Sequence, residues 1–293
     1  MLFGCTREDK FGYIVCNPAT EELVTLPASS SSCPLPPPME ESYYITVYDG
    51  VDERYAHTFL MFDSAVSSHF HLVQIWDNFS MMKVETVHSY SSETRAWSDR
   101  SSKWKQGEWG LQGQAIIKFT NGRALINGLL HFIVYDVQEK EDLIVVVDGE
   151  GKTCRIIRWH GKDVATIAFI GQSQDHLQCI GMDVKTAFLN GELEEMSVWV
   201  LEDYDTQEWI LKHNVSSSQF FGFLSRIVED FDIVAIHPDH NSIILVQHWD
   251  QKLVSYNIDS KELRALCTLG KGYLLLTPYV PCFKESSVLA TKD

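Results

Sequence analysis

Two histidines and an aspartate stand together at His237-Pro-Asp-His240, and imidazole with carboxylate is a donor set that zinc accepts. Zinc sites take three or four ligands, and no second cluster of Cys or His lies near these residues in the sequence. Pro238, Asp239 and Asn241 are turn formers between apolar runs that end at Ile236 and start at Ile243, so the segment reads as a turn. Gly171-Gln-Ser-Gln-Asp175 has the first glycine and the serine of a nucleophile elbow but not the second glycine that this turn needs. Neither glycine-rich pattern that cradles phosphate occurs. The acidic run Glu202-Asp203-Tyr204-Asp205 offers carboxylates to a basic partner, and reads first as a solvated turn between strands. Trp97 and Trp209 each follow a turn, so the eight tryptophans are expected to pack between sheets rather than to cage a ligand. No residue is assigned to catalysis, to a cofactor or to a metal.

The elements that would hold such residues are bounded by composition. With 293 residues, 45% hydrophobic and 12% aromatic, the chain can build a sizeable core as a single domain over residues 1–293. A formal net charge of −16 argues against a nucleic-acid partner, because phosphate backbones are bound by clustered Lys and Arg. It suits a protein partner with a basic face. The seven cysteines form no C-x-x-C pair and their number is odd, so reduced thiols and a cytoplasmic or nuclear location are expected. The charged opening MLFGCTREDKF does not read as a signal peptide, and no apolar run reaches the length of a membrane span.

Along the chain, Ala115 to Phe119, Leu143 to Val147, Ser197 to Leu201, Ile233 to Ile236 and Ser242 to Val246 are short runs rich in β-branched and aromatic residues. They predict strands, and no long stretch has helical periodicity. Residues 28–42 form a Ser/Pro-rich tract that predicts an exposed loop. A weak repeat runs through the rest: a strand ends, a polar turn follows, and a Val, Trp, Leu or Arg opens the next strand. Its copies lie at Cys16-NPATEEL-Val24, Tyr90-SSETRA-Trp97, Asp148-GEGKTC-Arg155, Tyr204-DTQE-Trp209 and Tyr256-NIDSKE-Leu263. A period near 50 residues, with several short strands per unit, matches kelch-type propeller blades. Each unit is then a small antiparallel sheet whose outer hairpin needs a polar turn, and the residue after that turn packs on a neighbouring sheet. The predicted fold is all-β: a kelch-like β-propeller of antiparallel four-stranded blades, five of them legible and the ring not necessarily complete.

These residues resemble a known family, the F-box-associated propeller domain of plant F-box proteins. The likeness is carried by CNPATEELVTLP (Cys16 to Pro27), NGLLH (Asn127 to His131) and VWVLEDYDTQEWILKH (Val198 to His213). It is supported by the stretches Ala56 to Trp76, Val87 to Trp97, Val234 to Val246, Leu253 to Gly270 and Pro278 to Phe283. The resemblance implies a module without catalysis of its own, which holds a protein substrate for an SCF-type ubiquitin ligase. It implies no cofactor. A Skp adaptor and a cullin would join only through an F-box, and none precedes the propeller-like part of this chain. A truncated, non-functional derivative and an enzyme that uses the propeller channel are the competing readings.

One segment departs from that family. Met182-DVKTAFLNGELE-Glu195 looks like the motif around the first metal-binding aspartate of copia-type retroelement reverse transcriptases, with Asp183 in that position. A polymerase also needs a second carboxylate pair and a basic template groove, and the sequence has neither. Residues 181–196 are therefore expected to form an atypical, insert-like loop.

Overall fold

A computed structural model describes residues 2–7, 10–29, 54–63, 67–78, 81–99, 114–159, 166–185, 192–216, 231–270, 276, 278–279 and 281–283. Among them are twenty strands and no helix. The strands form five antiparallel sheets that follow one another along the chain. The first holds β1 (Leu2–Arg7), β2 (Lys10–Asn17) and β3 (Glu22–Pro27). The second holds β4 (Arg54–Met61), β5 (His71–Asn78), β6 (Lys83–Ser91) and β7 (Ala96–Asp99). In the third, β8 (Ala115–Ile117) and β9 (Arg123–Ile126) share one edge of β10 (Leu129–Asp136), followed by β11 (Glu141–Val147) and β12 (Thr153–Arg158). The fourth comprises β13 (Thr166–Ser173), β14 (His176–Lys185), β15 (Glu192–Asp203) and β16 (Glu208–Ser216). The fifth comprises β17 (Phe231–Ile236), β18 (Ser242–Gln247), β19 (Lys252–Asn257) and β20 (Glu262–Thr268).

The apolar runs become strands because a sheet between two neighbours buries both faces. β11, with its Leu-Ile-Val-Val-Val run, is buried at every residue. Its alternate side chains face opposite ways, so Leu143, Val145 and Val147 join the core shared with the second sheet, while Ile144 and Val146 join the core shared with the fourth. Four such cores tie the five sheets in chain order. Tyr13, Val15 and Leu26 pack on Leu72 and Tyr90 between the first and second sheets. Phe59 stacks on Phe132 between the second and third, with ring centroids 5.6 Å apart. Ile133 and Ile157 meet Leu177 and Leu201 between the third and fourth, and Met196 and Val198 meet Leu245 and Tyr256 between the fourth and fifth. At roughly 25 cal/mol per Å² of buried apolar area, a sheet inserted between two others gains about twice what a terminal sheet gains.

The sequence repeat marks the outer hairpin of each sheet. Four of these hairpins are closed by a four-residue loop whose last residue is left-handed: Glu21 (φ 57°), Arg95 (φ 53°), Gln207 (φ 55°) and Lys261 (φ 60°). The residue that opens the loop braces it where it is Asn or Asp. Asp203 Oδ1 accepts from the backbone N–H groups of Asp205 (2.7 Å) and Thr206 (2.9 Å), and Asn257 Oδ1 accepts from Ser260 N–H at 2.8 Å. In the third sheet the loop from Asp148 to Lys152 is one residue longer and carries Gly151 at φ 74°. Beyond it a bulge shifts the register and pairs Arg155 with Val146, whose side chain faces the fourth sheet. Trp97 and Trp209 turn to the preceding sheet, where their indole N–H groups donate to Pro27 O (2.9 Å) and Arg158 O (3.0 Å). Arg155 turns to the following sheet and donates to Tyr204 O and to Asp205 Oδ1 (2.9 Å).

Three expectations are corrected here. Phe119, taken as the end of a strand, lies beyond β8 in a break that divides the first strand of the third sheet in two. Leu263, placed after the last repeated turn, was expected to pack between sheets; it is 39% exposed, and the rest of β20 is exposed with it. Residues 181–196 are not a loop throughout. Gly181 to Lys185 continue β14 and Glu192 to Met196 open β15, because Met182 and Met196 are buried and the two strands pair across Gly181–Ser197 and Met182–Met196. Residues 186–191 lie outside the described residues, as does 30–42 of the Ser/Pro tract.

Candidate interaction surface

In a sheet ordered as the chain runs, the first and third connections emerge at one end and the second at the other. Hydrogen bonds confirm that these connections share a rim. Ser92 N–H in the second sheet's outer turn donates to Phe70 O (3.0 Å), and Ile258 N–H in the fifth donates to Asn241 O (2.7 Å). Between sheets, Gln174 N–H donates to Pro238 O at 2.7 Å, which joins the first turns of the fourth and fifth. Arg155 joins the outer turns of the third and fourth.

This rim is acidic. Glu21, Glu93, Glu150, Asp205 and Asp259 are exposed, one in each outer turn, and Asp203 and Asp239 add to them. Arg95, Lys152 and Lys261 are the exposed basic residues of the same outer turns. Asp203 is held below the ordinary carboxylate range, first by Thr206 N–H and then by Asp205 N–H, so it stays charged in mildly acidic solution. Below the rim, burial lowers His131 to about 4 and raises Tyr204 to about 12. Neutral His131 donates from Nδ1 to Leu129 O (3.0 Å), and its Nε2 accepts the Tyr204 hydroxyl at 3.4 Å. The outer turn of the fourth sheet is thereby fastened to the third.

The residues singled out from the sequence are spread over this frame and do not converge. His237 and His240 stack with centroids 4.5 Å apart, and His237 Nδ1 accepts from the N–H groups of Asp239 (3.1 Å) and His240 (3.2 Å). That nitrogen caps the turn. Ser173 is fully buried where β13 turns into β14. Asp183 sits on β14 opposite Glu195. Trp76, Trp159 and Trp209 are buried in the sheets, whereas Trp249 is 47% exposed in the turn between β18 and β19. Trp104 and Trp109 lie outside the described residues.

Sequence reading missed a buried polar cluster between the first two sheets. Gln74, with no exposed surface, donates to Tyr13 Oη and to Thr58 Oγ1 (3.1 Å) and accepts from Trp76 Nε1 (2.6 Å) and Ser29 Oγ (2.7 Å). The signal was a lone glutamine within the apolar run Leu72-Val-Gln-Ile-Trp76. Also missed was Asp142, which lies 2.7 Å from Lys118 Nζ and accepts Ile167 N–H at 3.0 Å.

Sequential antiparallel sheets of three to five strands, packed face to face with their outer turns on one rim, define a β-propeller. The chain matches the model of the F-box associated beta propeller domain over residues 3–271, and it belongs to that family. No curated protein sequence matches it. Among solved structures it is similar to the WD40 repeats of RRP9, at 8% identity and a TM-score of 0.34, over 71% of this chain and 53% of that one. It is also similar to the β-propeller domain of Myceliophteria thermophila Cps50 (Swd1), at 8% identity and a TM-score of 0.36, over 88% of this chain and 69% of that one. A third is Pyrococcus horikoshii acylaminoacyl peptidase, at 11% identity and a TM-score of 0.35, over 72% and 32%. The chain spans about half the length of the RRP9 structure.

Proposed function

We propose that this propeller is a protein-interaction module, the substrate-recognition part of an SCF-type ubiquitin ligase subunit, with no catalysis of its own. The observation that carries the reading is its membership of the F-box associated propeller family. Rigid sheets with shared cores hold turns whose residues can change without disturbing those cores, which suits recognition. The acidic rim supports a substrate that presents a basic face, because opposed charge speeds encounter and excludes like-charged partners. A Skp adaptor and a cullin enter this reading only through an F-box joined to the chain. Cys179, Cys267 and Cys282 are free thiols, which fits the cytoplasm or nucleus.

The test compares three proteins in a pull-down: this chain, the chain extended upstream in its genomic frame, and the chain with Asp203→Lys, Asp205→Lys and Asp259→Lys. The expected result is one partner recovered by the first two and lost by the third, with the Skp adaptor recovered by the extended form alone. Recovery of the same proteins by the charge-reversed form refutes the acidic rim as the contact. Absence of any shared partner refutes the module.

A further inference from the structure

The first sheet holds its outer turn in a way the others do not. In the second and fifth sheets the first residue of that turn, Ser92 or Ile258, donates its N–H to a carbonyl of the sheet's own first connection. The accepting residues, Phe70 and Asn241, stand immediately before β5 and β18. In the first sheet the turn begins with Pro18, which has no N–H to give. The side chain of the preceding residue takes over that role. Asn17 Nδ2 donates to the carbonyl of Cys282 at 2.7 Å, across a separation of 265 residues. Tyr279 strengthens the join: its hydroxyl donates to Asn17 Oδ1 (2.9 Å) and accepts from Ala19 N–H (3.0 Å). Asn17 is 8% exposed, so these bonds lie largely out of water.

We propose that Tyr279 and Cys282 form a clasp that fastens the chain beyond the fifth sheet to the first, in the place that a sheet's own first connection fills in the second and fifth. The first sheet has reason to need it. Among the described residues only its inner face joins a shared core, while Leu23, which faces the other way, is 53% exposed. A sheet with one packed face is the first to open locally, and a clasp drawn from the far end of the chain opposes that opening. The clasp is independent of whatever partner the rim binds.

Hydrogen exchange on the full chain tests this, with Tyr279→Phe, Asn17→Ala and Asn257→Ala compared to wild type. Asn257 braces its own turn through Ser260 N–H as Asn17 does through Ala19 N–H (3.2 Å), so Asn257→Ala reports loss of the turn brace without the clasp. Tyr279→Phe is expected to raise exchange about five- to tenfold both in the β2–β3 turn and around residues 279–283, the yield of one or two lost hydrogen bonds. Asn17→Ala is expected to do the same at both places, with β11 unchanged, and Asn257→Ala to act only at its own turn. Exchange in Tyr279→Phe within twofold of wild type at either end overturns the proposal. So does exchange around residues 279–283 that is already at the unprotected rate in wild type.

Discussion

At Gly122 the first strands of the third and fourth sheets approach so closely that backbone bonds backbone. Gly122 bridges Ile170 in parallel, and Ile170 N–H donates to Asn121 O at 2.9 Å. Its φ is 80°, and a Cβ there would lie 2.2 Å from Ile170 O and 2.7 Å from the Phe169 ring. Gly122→Ala therefore combines left-handed strain of about 1–2 kcal/mol with a clash against backbone, and a loss of about 3 kcal/mol or more is expected in urea unfolding. His131 supplies a second prediction. Its folded pKa of about 4 lies below the ordinary 6.5, so the unfolded chain takes up the proton first. The stability that neutral His131 confers is full above about pH 6.5 and drains away as pH falls toward 4, by an amount on the order of 3 kcal/mol. His131→Asn should flatten that part of the stability–pH curve. An unchanged curve would place the acid sensitivity elsewhere.

The elements depend on their outer hairpins. Trp209 is 8% exposed and reaches from the fourth sheet to the third, where it joins the core that holds Ile157 and donates to Arg158 O. Trp209→Ala should cost about 3–5 kcal/mol, through lost apolar contact and an orphaned carbonyl. Leu263, in the matching position of the fifth sheet, is 39% exposed, and Leu263→Ala should cost well under half as much. Thermal unfolding of both variants measures the contrast, and equal losses would mean that position after the turn, not burial, sets the effect. The repeat made these hairpins legible, since Asn, Asp and Ser before a polar loop are turn formers by their own chemistry. The pairings that send Arg155 forward, opposite Val146, and Trp209 back, opposite Leu201, were not legible. Strand pairing is non-local.

Over the whole molecule, 40 acidic residues face 24 basic ones. Self-repulsion at a net charge of −16 opposes the compact state, and salt screens it over a Debye length that falls from about 10 Å at 0.1 M to about 3 Å at 1 M. Raising sodium chloride from 0.05 to roughly 0.5 M should raise Tm by a few degrees. A fall in Tm would show that attractive pairs such as Lys118–Asp142 outweigh the repulsion. The four shared cores predict that the middle sheets melt together, since none buries both faces without its neighbours.

The residues by themselves determined the all-β class and the placement of five outer hairpins, because these rest on local turn chemistry and period-two patterning. Tertiary structure alone decided what touches what. It made Gln74 the centre of a buried polar cluster, turned His237 Nδ1 into a turn cap, and split the first strand of the third sheet beside Phe119. It also brought Cys282 O to Asn17. No pattern in a linear chain records a contact between residues 265 apart, because the energy that selects it belongs to the packed sheets and not to either segment.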